Sequence, residues 1–129
     1  MAAPGYLLDS DVIIWILRNR AETVRLVERL SQESPEPFAC SALSVLEVWV
    51  GAKPGEQEKT ATLFDGLVVI PVDGPIAMRA AALLAGRKRS GPREWVDAVI
   101  AASALAHART ILTYNRKDYP YPEVALYPT

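Results

Sequence analysis

The stretch that most limits what this chain can fold into is Tyr6-Leu7-Leu8-Asp9-Ser10-Asp11-Val12-Ile13-Ile14. Three apolar residues run straight into an acid, a hydroxyl and a second acid, and a new apolar segment follows at once. The first run reads as a short buried strand, and the polar triplet as the start of a helix. In open α/β sheets, ligands bind at the carboxyl ends of the strands. The spacing puts Asp9 at such an end, so the rest of the chain can be searched for residues that converge on it.

The pattern repeats downstream. A helix is predicted from residue 11 to about 18, and another from about 21 to 32, with Val24, Val27 and Leu30 towards the core. Ser34-Pro35-Glu36-Pro37 breaks it. Phe38-Ala39-Cys40 predicts a strand, and Ser41 or Ser44 begins a helix that stops at Gly51. A polar helix follows over about 56–65. Leu67-Val68-Val69-Ile70, closed by Pro71, reads as a buried strand. Ile76, Ala80, Leu83 and Leu84 mark a helix ending near Gly86. The basic, breaker-rich loop Arg87-Lys88-Arg89-Ser90-Gly91-Pro92-Arg93 precedes a small-residue helix from 94 to about 109. Thr110-Ile111-Leu112-Thr113 is a strand, residues 114–122 a loop or short turn, and Val124-Ala125-Leu126 a last strand. Short apolar strands alternating with helices predict an α/β fold. Its mainly parallel central sheet of four to five strands carries helices on both faces.

Bulk properties narrow the function classes. With 129 residues, half of them hydrophobic, residues 1–129 are expected to form one domain with one core. The formal net charge is −1, so any nucleic-acid contact must come from a local patch and not from the overall field. The single cysteine, Cys40, excludes an internal disulfide and fits a reducing compartment. No signal-peptide pattern is visible, and no apolar run reaches the ~18 residues of a membrane span. The expectation is a soluble cytoplasmic protein without a membrane partner.

Three acids stand in apolar surroundings. Asp9 ends an apolar strand, where it also reads as a helix N-cap. Glu47 falls in a helical stripe with Leu43, Leu46 and Val50, where a position at the stripe's edge would let it reach water. Asp97 lies on a helix apolar nearly all round, on a face with Ala101, Ala104 and Ala108, where first-turn stabilisation by the helix dipole is the structural alternative. Each structural explanation is adequate singly. Together they weaken, because an unpaired buried charge costs several kcal/mol and the lysines and arginines cluster elsewhere. A divalent cation would compensate all three, and oxygen-only ligands select hard ions, Mg²⁺ or Mn²⁺. Asp118 follows the strand 110–113 and could complete the cluster, with Thr113 or Asn115 bonding a metal-bound water. His107 is the only histidine, on an Ala-rich helix, which disfavours zinc. Ser10 has no base or nucleophile-elbow context, which disfavours a serine hydrolase.

Leu8-Asp9-Ser10, then Ser44-x-x-Glu47, then Asp97-x-x-Ile100-Ala101-Ala102, then Thr113-x-Asn115-x-x-Asp118-Tyr119 together resemble a PIN domain. Within that family the chain most resembles the VapC toxins of bacterial type II toxin–antitoxin systems, over essentially its whole length. The resemblance implies a Mg²⁺- or Mn²⁺-dependent endoribonuclease, a cognate antitoxin, commonly a homodimer, and structured RNA such as tRNA as target. By position, Asp9, Glu47 and Asp97 match the three core acids. Asp118 or Asn115 takes the fourth place, and Ser10 and Thr113 support them. The Tyr119 slot is more often Phe in the family. Arg87, Lys88, Arg89 and Arg93 could hold the RNA backbone electrostatically, or simply form a solvated loop. Two other readings remain at this point. Asp9-Ser10-Asp11-Val12 fits the opening of haloacid-dehalogenase-type phosphatases, with Asp9 as nucleophile, although no downstream G-D-x-x-x-D motif follows. A non-catalytic partner-binding domain of the same fold is the other.

Overall fold

The computed structural model describes residues 5–87 and 91–129. Four strands, β1 (Gly5–Leu8), β2 (Ala39–Ser41), β3 (Val68–Ile70) and β4 (Arg109–Leu112), form one parallel sheet in the order β3-β2-β1-β4. The helices between them are α1 (Ser10–Leu17), α2 (Ala21–Glu33), α3 (Ala42–Val50), α4 (Gln57–Asp65), α5 (Gly74–Leu84) and α6 (Pro92–Ala106). No helix among the described residues is long and apolar enough to cross a membrane.

Alternation along the strands sorts their side chains to two faces. Leu7, Ala39, Ile70 and Ile111 pack with Ile76 and Ala80 of α5 and with the alanines of α6. Tyr6, Leu8, Cys40 and Leu112 pack on the other face with Val12, Ile13 and Leu17 of α1, Leu30 of α2 and Val48 of α3. Helices therefore cover both faces, as expected from the strand–helix alternation. Ala98, Ala101, Ala102 and Ala104 are all fully or nearly fully buried. Their small side chains let α6 lie close against the sheet, and that sets the depth at which Asp97 stands.

Four details differ from the sequence expectation. α6 begins at Pro92 and ends at Ala106. Proline is well placed in a helix's first turn because it lacks only an N–H that would go unpaired there. Ala108 adopts a left-handed conformation, φ 52°, so it leaves the helix and turns the chain into β4; it does not share the buried face of Ala101 and Ala104. β3 is not buried: Val68 and Val69 are about two-fifths exposed, because the strand order places β3 at the sheet's edge. The last predicted strand shrinks to a single parallel bridge between Ile111 and Leu126. It is held by Ile111 N–H donating to the Ala125 carbonyl and Tyr127 N–H donating to the Ile111 carbonyl, both at 2.9 Å.

The strand order matters for function. From β1 the chain steps one way to β2 and β3, whereas β4 is added on β1's other side. Such a reversal leaves a crevice at the carboxyl ends of the two strands where it occurs, the usual ligand position in open α/β sheets. Asp9 follows β1 and Thr113 follows β4. They lie side by side there, with Asp9 N–H donating to the Leu112 carbonyl at 3.0 Å.

Candidate active site

Asp9 is 7 % exposed and occupies the N-cap of α1, so the structural reading of this residue is correct as far as it goes. A cap alone does not account for its second oxygen. Oδ1 accepts from Ser10 N–H at 2.8 Å, and Oδ2 accepts from the Thr113 hydroxyl at 2.8 Å, across from β4. Thr113 is fully buried and also accepts from Asn115 N–H at 3.0 Å. The Ser10 hydroxyl donates within reach of both Glu47 Oε1, 2.8 Å, and Ser44 Oγ, 2.9 Å. Two neighbouring side chains thus orient one carboxylate each.

A cleft of about 420 Å³ opens at this point, and Asp9, Asp11, Glu47, Asp97 and Asp118 all line it. They come from the β1–α1 junction, α3, α6 and the 3-10 turn Arg116–Asp118. Every acid named from the sequence therefore reaches one place. Their burial is unequal. Asp97 and Asp118 are half-buried, but Glu47 is exposed, because the stripe it belongs to faces outwards: Leu46 is 60 % and Val50 78 % exposed. The expectation of three acids in apolar surroundings thus holds for Asp9 and Asp97 and not for Glu47, which stands at the rim. Asp97 lies in the second turn of α6, and the first-turn acid is Glu94, whose Oε2 accepts from Gly91 N–H at 2.9 Å. The dipole explanation belongs to Glu94 and leaves Asp97 without a structural role.

Electrostatics single out the same group. Burial, then the Asp118 and Asp9 charges, hold the Asp97 carboxyl up at about 7, against a smaller lowering by Arg93. Burial and Asp9 raise Asp11 to about 6, although N–H groups of Tyr114 and Val12 donate to it. Crowded, partly buried carboxylates disfavour one another's charged form. Beneath them the Tyr119 hydroxyl is buried without a well-formed hydrogen bond among the described residues. Burial and the charges of Asp9 and Asp97 push it far above the ordinary tyrosine value. As placed, no three ligand-type side chains among the described residues stand close enough to hold a metal ion unaided. The donor set is nevertheless all oxygen and rich in carboxylates, which fits a hard divalent ion once the carboxylates draw in.

Asp11 belongs to the site although its sequence position spoke only for the phosphatase reading. Its Oδ2 accepts from Tyr114 N–H, 2.9 Å, and from the Asn115 side-chain amide, 3.2 Å. It ties the loop carrying Asp118 to the first turn of α1. Asn115 and Thr113 are therefore engaged with Asp11 and Asp9, while both Asn115 and Asp118 line the cleft. His107 caps the C-terminus of α6, exposed and away from the cleft. Arg93 lines the acidic cleft and Arg87 an adjoining one. Lys88 and Arg89 lie outside the described residues.

Comparison with curated proteins gives no match. Among solved structures, the chain resembles one in a toxin–antitoxin complex from Klebsiella pneumoniae at 27 % identity and TM-score 0.80, covering 97 % of this chain and 98 % of that one. A chain of VapBC2 from Rickettsia felis, bound to a DNA fragment from its promoter, aligns at 21 % identity and TM-score 0.76, over 95 % and 96 %. A chain of VapBC-1 from nontypeable Haemophilus influenzae aligns at 24 % and 0.74, again over 95 % and 96 %. Both of these identities are low enough to speak for the fold alone. The PIN domain family model matches residues 6–124, nearly the full length and every acid of the cleft. With that match, the sheet order and the converging carboxylates in place, the chain belongs to the PIN domain family.

Proposed function

We propose that this chain is the toxin of a toxin–antitoxin pair, a cytoplasmic endoribonuclease dependent on Mg²⁺ or Mn²⁺. The observation that carries the reading is the convergence of Asp9, Glu47, Asp97 and Asp118, from four separate elements, on one cleft at the carboxyl ends of β1 and β4. These four residues would hold the ion. When bound, it supplies a water of lowered pKa and neutralises charge on the phosphate during in-line displacement.

The chain's own side chains do the rest. Thr113 and the Ser10 N–H hold Asp9, and the Ser10 hydroxyl holds Glu47, so these two carboxylates face the cleft together. Asp11 positions the loop that brings Asp118 in. Arg93 stands in the cleft wall where an RNA phosphate would pass. An antitoxin partner suits the exposed apolar residues of α3, Leu46, Trp49 and Val50, which lie beside Glu47 and leave the cleft within reach. A homodimer fits the family.

The test is incubation of the purified chain with total RNA, with Mg²⁺ and with EDTA, followed by mapping of new ends. The expected result is discrete internal cleavage with Mg²⁺ and none with EDTA. Intact RNA under both conditions, from a folded chain, overturns the reading.

A further inference from the structure

The acidic cleft does not end at the acids. It continues into a second hollow of about 570 Å³, and the two share Arg93, Asp97 and Asp118 in their walls. Beyond these the second hollow has a different character, with Arg87 and Lys117 on its walls. The opposite end of the acidic cleft, around Glu47, Ser10 and Ile14, has no cation in its wall. Among the described residues, three cations thus stand beside the acids on the side of this second hollow.

None of the three cations is tied up in a close ion pair with an acid. Among the described residues the ion pairs are Arg20–Glu22 and Arg109–Glu36, and none involves Arg87, Arg93 or Lys117. Sequence spacing builds the arrangement. Arg93 precedes Asp97 by four residues on α6, which puts both on one face, and Lys117 directly precedes Asp118 in the 3-10 turn. Arg87 is held in place: its guanidinium lies over the Tyr121 ring, 4.9 Å from the centroid, and Nη2 donates to the Pro120 carbonyl at 3.1 Å. A guanidinium has five N–H donors, so most of Arg87's remain for a ligand. A fixed guanidinium is a better phosphate clamp than a free one, because less side-chain freedom is lost on binding.

We propose that Arg87, Arg93 and Lys117 form a phosphate-binding subsite that holds the RNA strand on one flank of the cleavage point. This rests on the ribonuclease reading and adds to it a place of grip: the strand is held on the side of α6 and the 3-10 turn. Lys117, exposed and without a bonding partner among the described residues, has no structural role that would explain its place in the wall.

The test uses wild type, Lys117→Gln, the double variant Arg87→Gln/Lys117→Gln, and Arg25→Gln as a control cation on the exposed face of α2. Binding of a labelled single-stranded RNA oligomer is followed by fluorescence anisotropy over a salt series in EDTA, and cleavage is measured separately in Mg²⁺. Removing one cation that neutralises a phosphate of a single strand lowers the slope of log K against log salt by about 0.7. The slope should fall by about 0.7 for Lys117→Gln, by about 1.4 for the double variant, and not at all for Arg25→Gln. Because Lys117 is exposed, its substitution cannot be confused with misfolding. Unchanged slopes in both subsite variants, in a chain that cuts RNA, overturn the subsite and leave the function standing. Lowered slopes in a chain that cuts nothing leave the subsite standing and overturn the nuclease. No binding by wild type overturns the subsite.

Discussion

Replacing Asp97 by asparagine removes one charge from the cleft and no hydrogen bond, since none to the Asp97 side chain is present among the described residues. The wild-type carboxyl sits at about 7 in the fold against 3.8 for an unperturbed aspartate. Between those values the unfolded chain has already lost the proton that the folded chain keeps. The folded state then binds more protons, and stability falls as pH rises through the window. Below about pH 4 both states are protonated and the effect vanishes. Above about pH 7 the penalty is complete. Taken at face value the shift is worth about 4 kcal/mol at 1.36 kcal/mol per unit. Asp97 is half-solvated, and screening reduces this to roughly 1–2 kcal/mol. For a chain of this length that is a Tm gain of about 4–7 °C for Asp97→Asn. The assay is thermal unfolding of both proteins in EDTA from pH 4 to pH 8. The variant should match wild type at pH 4 and exceed it increasingly up to pH 8. Excess Mg²⁺ should stabilise wild type by RT ln(1 + [L]/Kd), about 2.7 kcal/mol at a hundredfold excess over Kd, and leave the variant nearly unmoved. A variant that melts below wild type at pH 8 in EDTA and keeps the Mg²⁺ shift would mean that Asp97 is architecture and not part of an ion site.

Tyr119→Phe deletes a buried hydroxyl that fails strict hydrogen-bond geometry and reaches only the Asp9 carboxylate; in EDTA it should leave stability within about 1 kcal/mol, and a loss well beyond that in a denaturant titration would show that Asp9 binds it strongly. Thr113→Val removes the donor to Asp9 and the acceptor of Asn115 N–H, so it should cost about 1–3 kcal/mol and weaken Mn²⁺ binding by calorimetry; unchanged binding would show that Asp9 needs no such support. Glu47→Gln, at the exposed rim, should leave the Tm in EDTA within about 2 °C while abolishing RNA cleavage, and retained cleavage would remove Glu47 from the site. Val50→Lys adds charge to the exposed apolar face of α3 and should weaken antitoxin binding in a pull-down without altering cleavage by the free chain; full binding would place the partner elsewhere.

How much of this was legible in the sequence follows from which interactions are local. Strands β1 and β4 and helices α2, α3 and α4 were readable within a residue or two, because periodicity, Ser41 as cap, Gly51 as stop and the Pro35–Pro37 break are all local signals. The edge position of β3 was not, since Leu67-Val68-Val69-Ile70 is as apolar as a central strand and only the strand order decides its exposure. The four acids were found by type and spacing. Their unequal burial was not, because on α3 apolar residues occupy both the inner and the outer face. Leu46 and Val50 therefore misrepresent which side is the core. Asp11, Lys117 and the Tyr119 hydroxyl acquire meaning only from groups more than 80 residues away or from the shape of the cleft, and no periodicity carries that information.

The proposed ribonuclease needs its acids to bind the ion that supports RNA cleavage. Its most direct test is a single titration of Mn²⁺ or Mg²⁺ read in two ways on the same preparation: the rise in Tm and the rate of RNA cleavage. The prediction is that both saturate along one curve in wild type and that both are flat in Asp97→Asn. Cleavage undiminished in thorough EDTA, or saturable ion binding that leaves the cleavage rate unchanged, would contradict it.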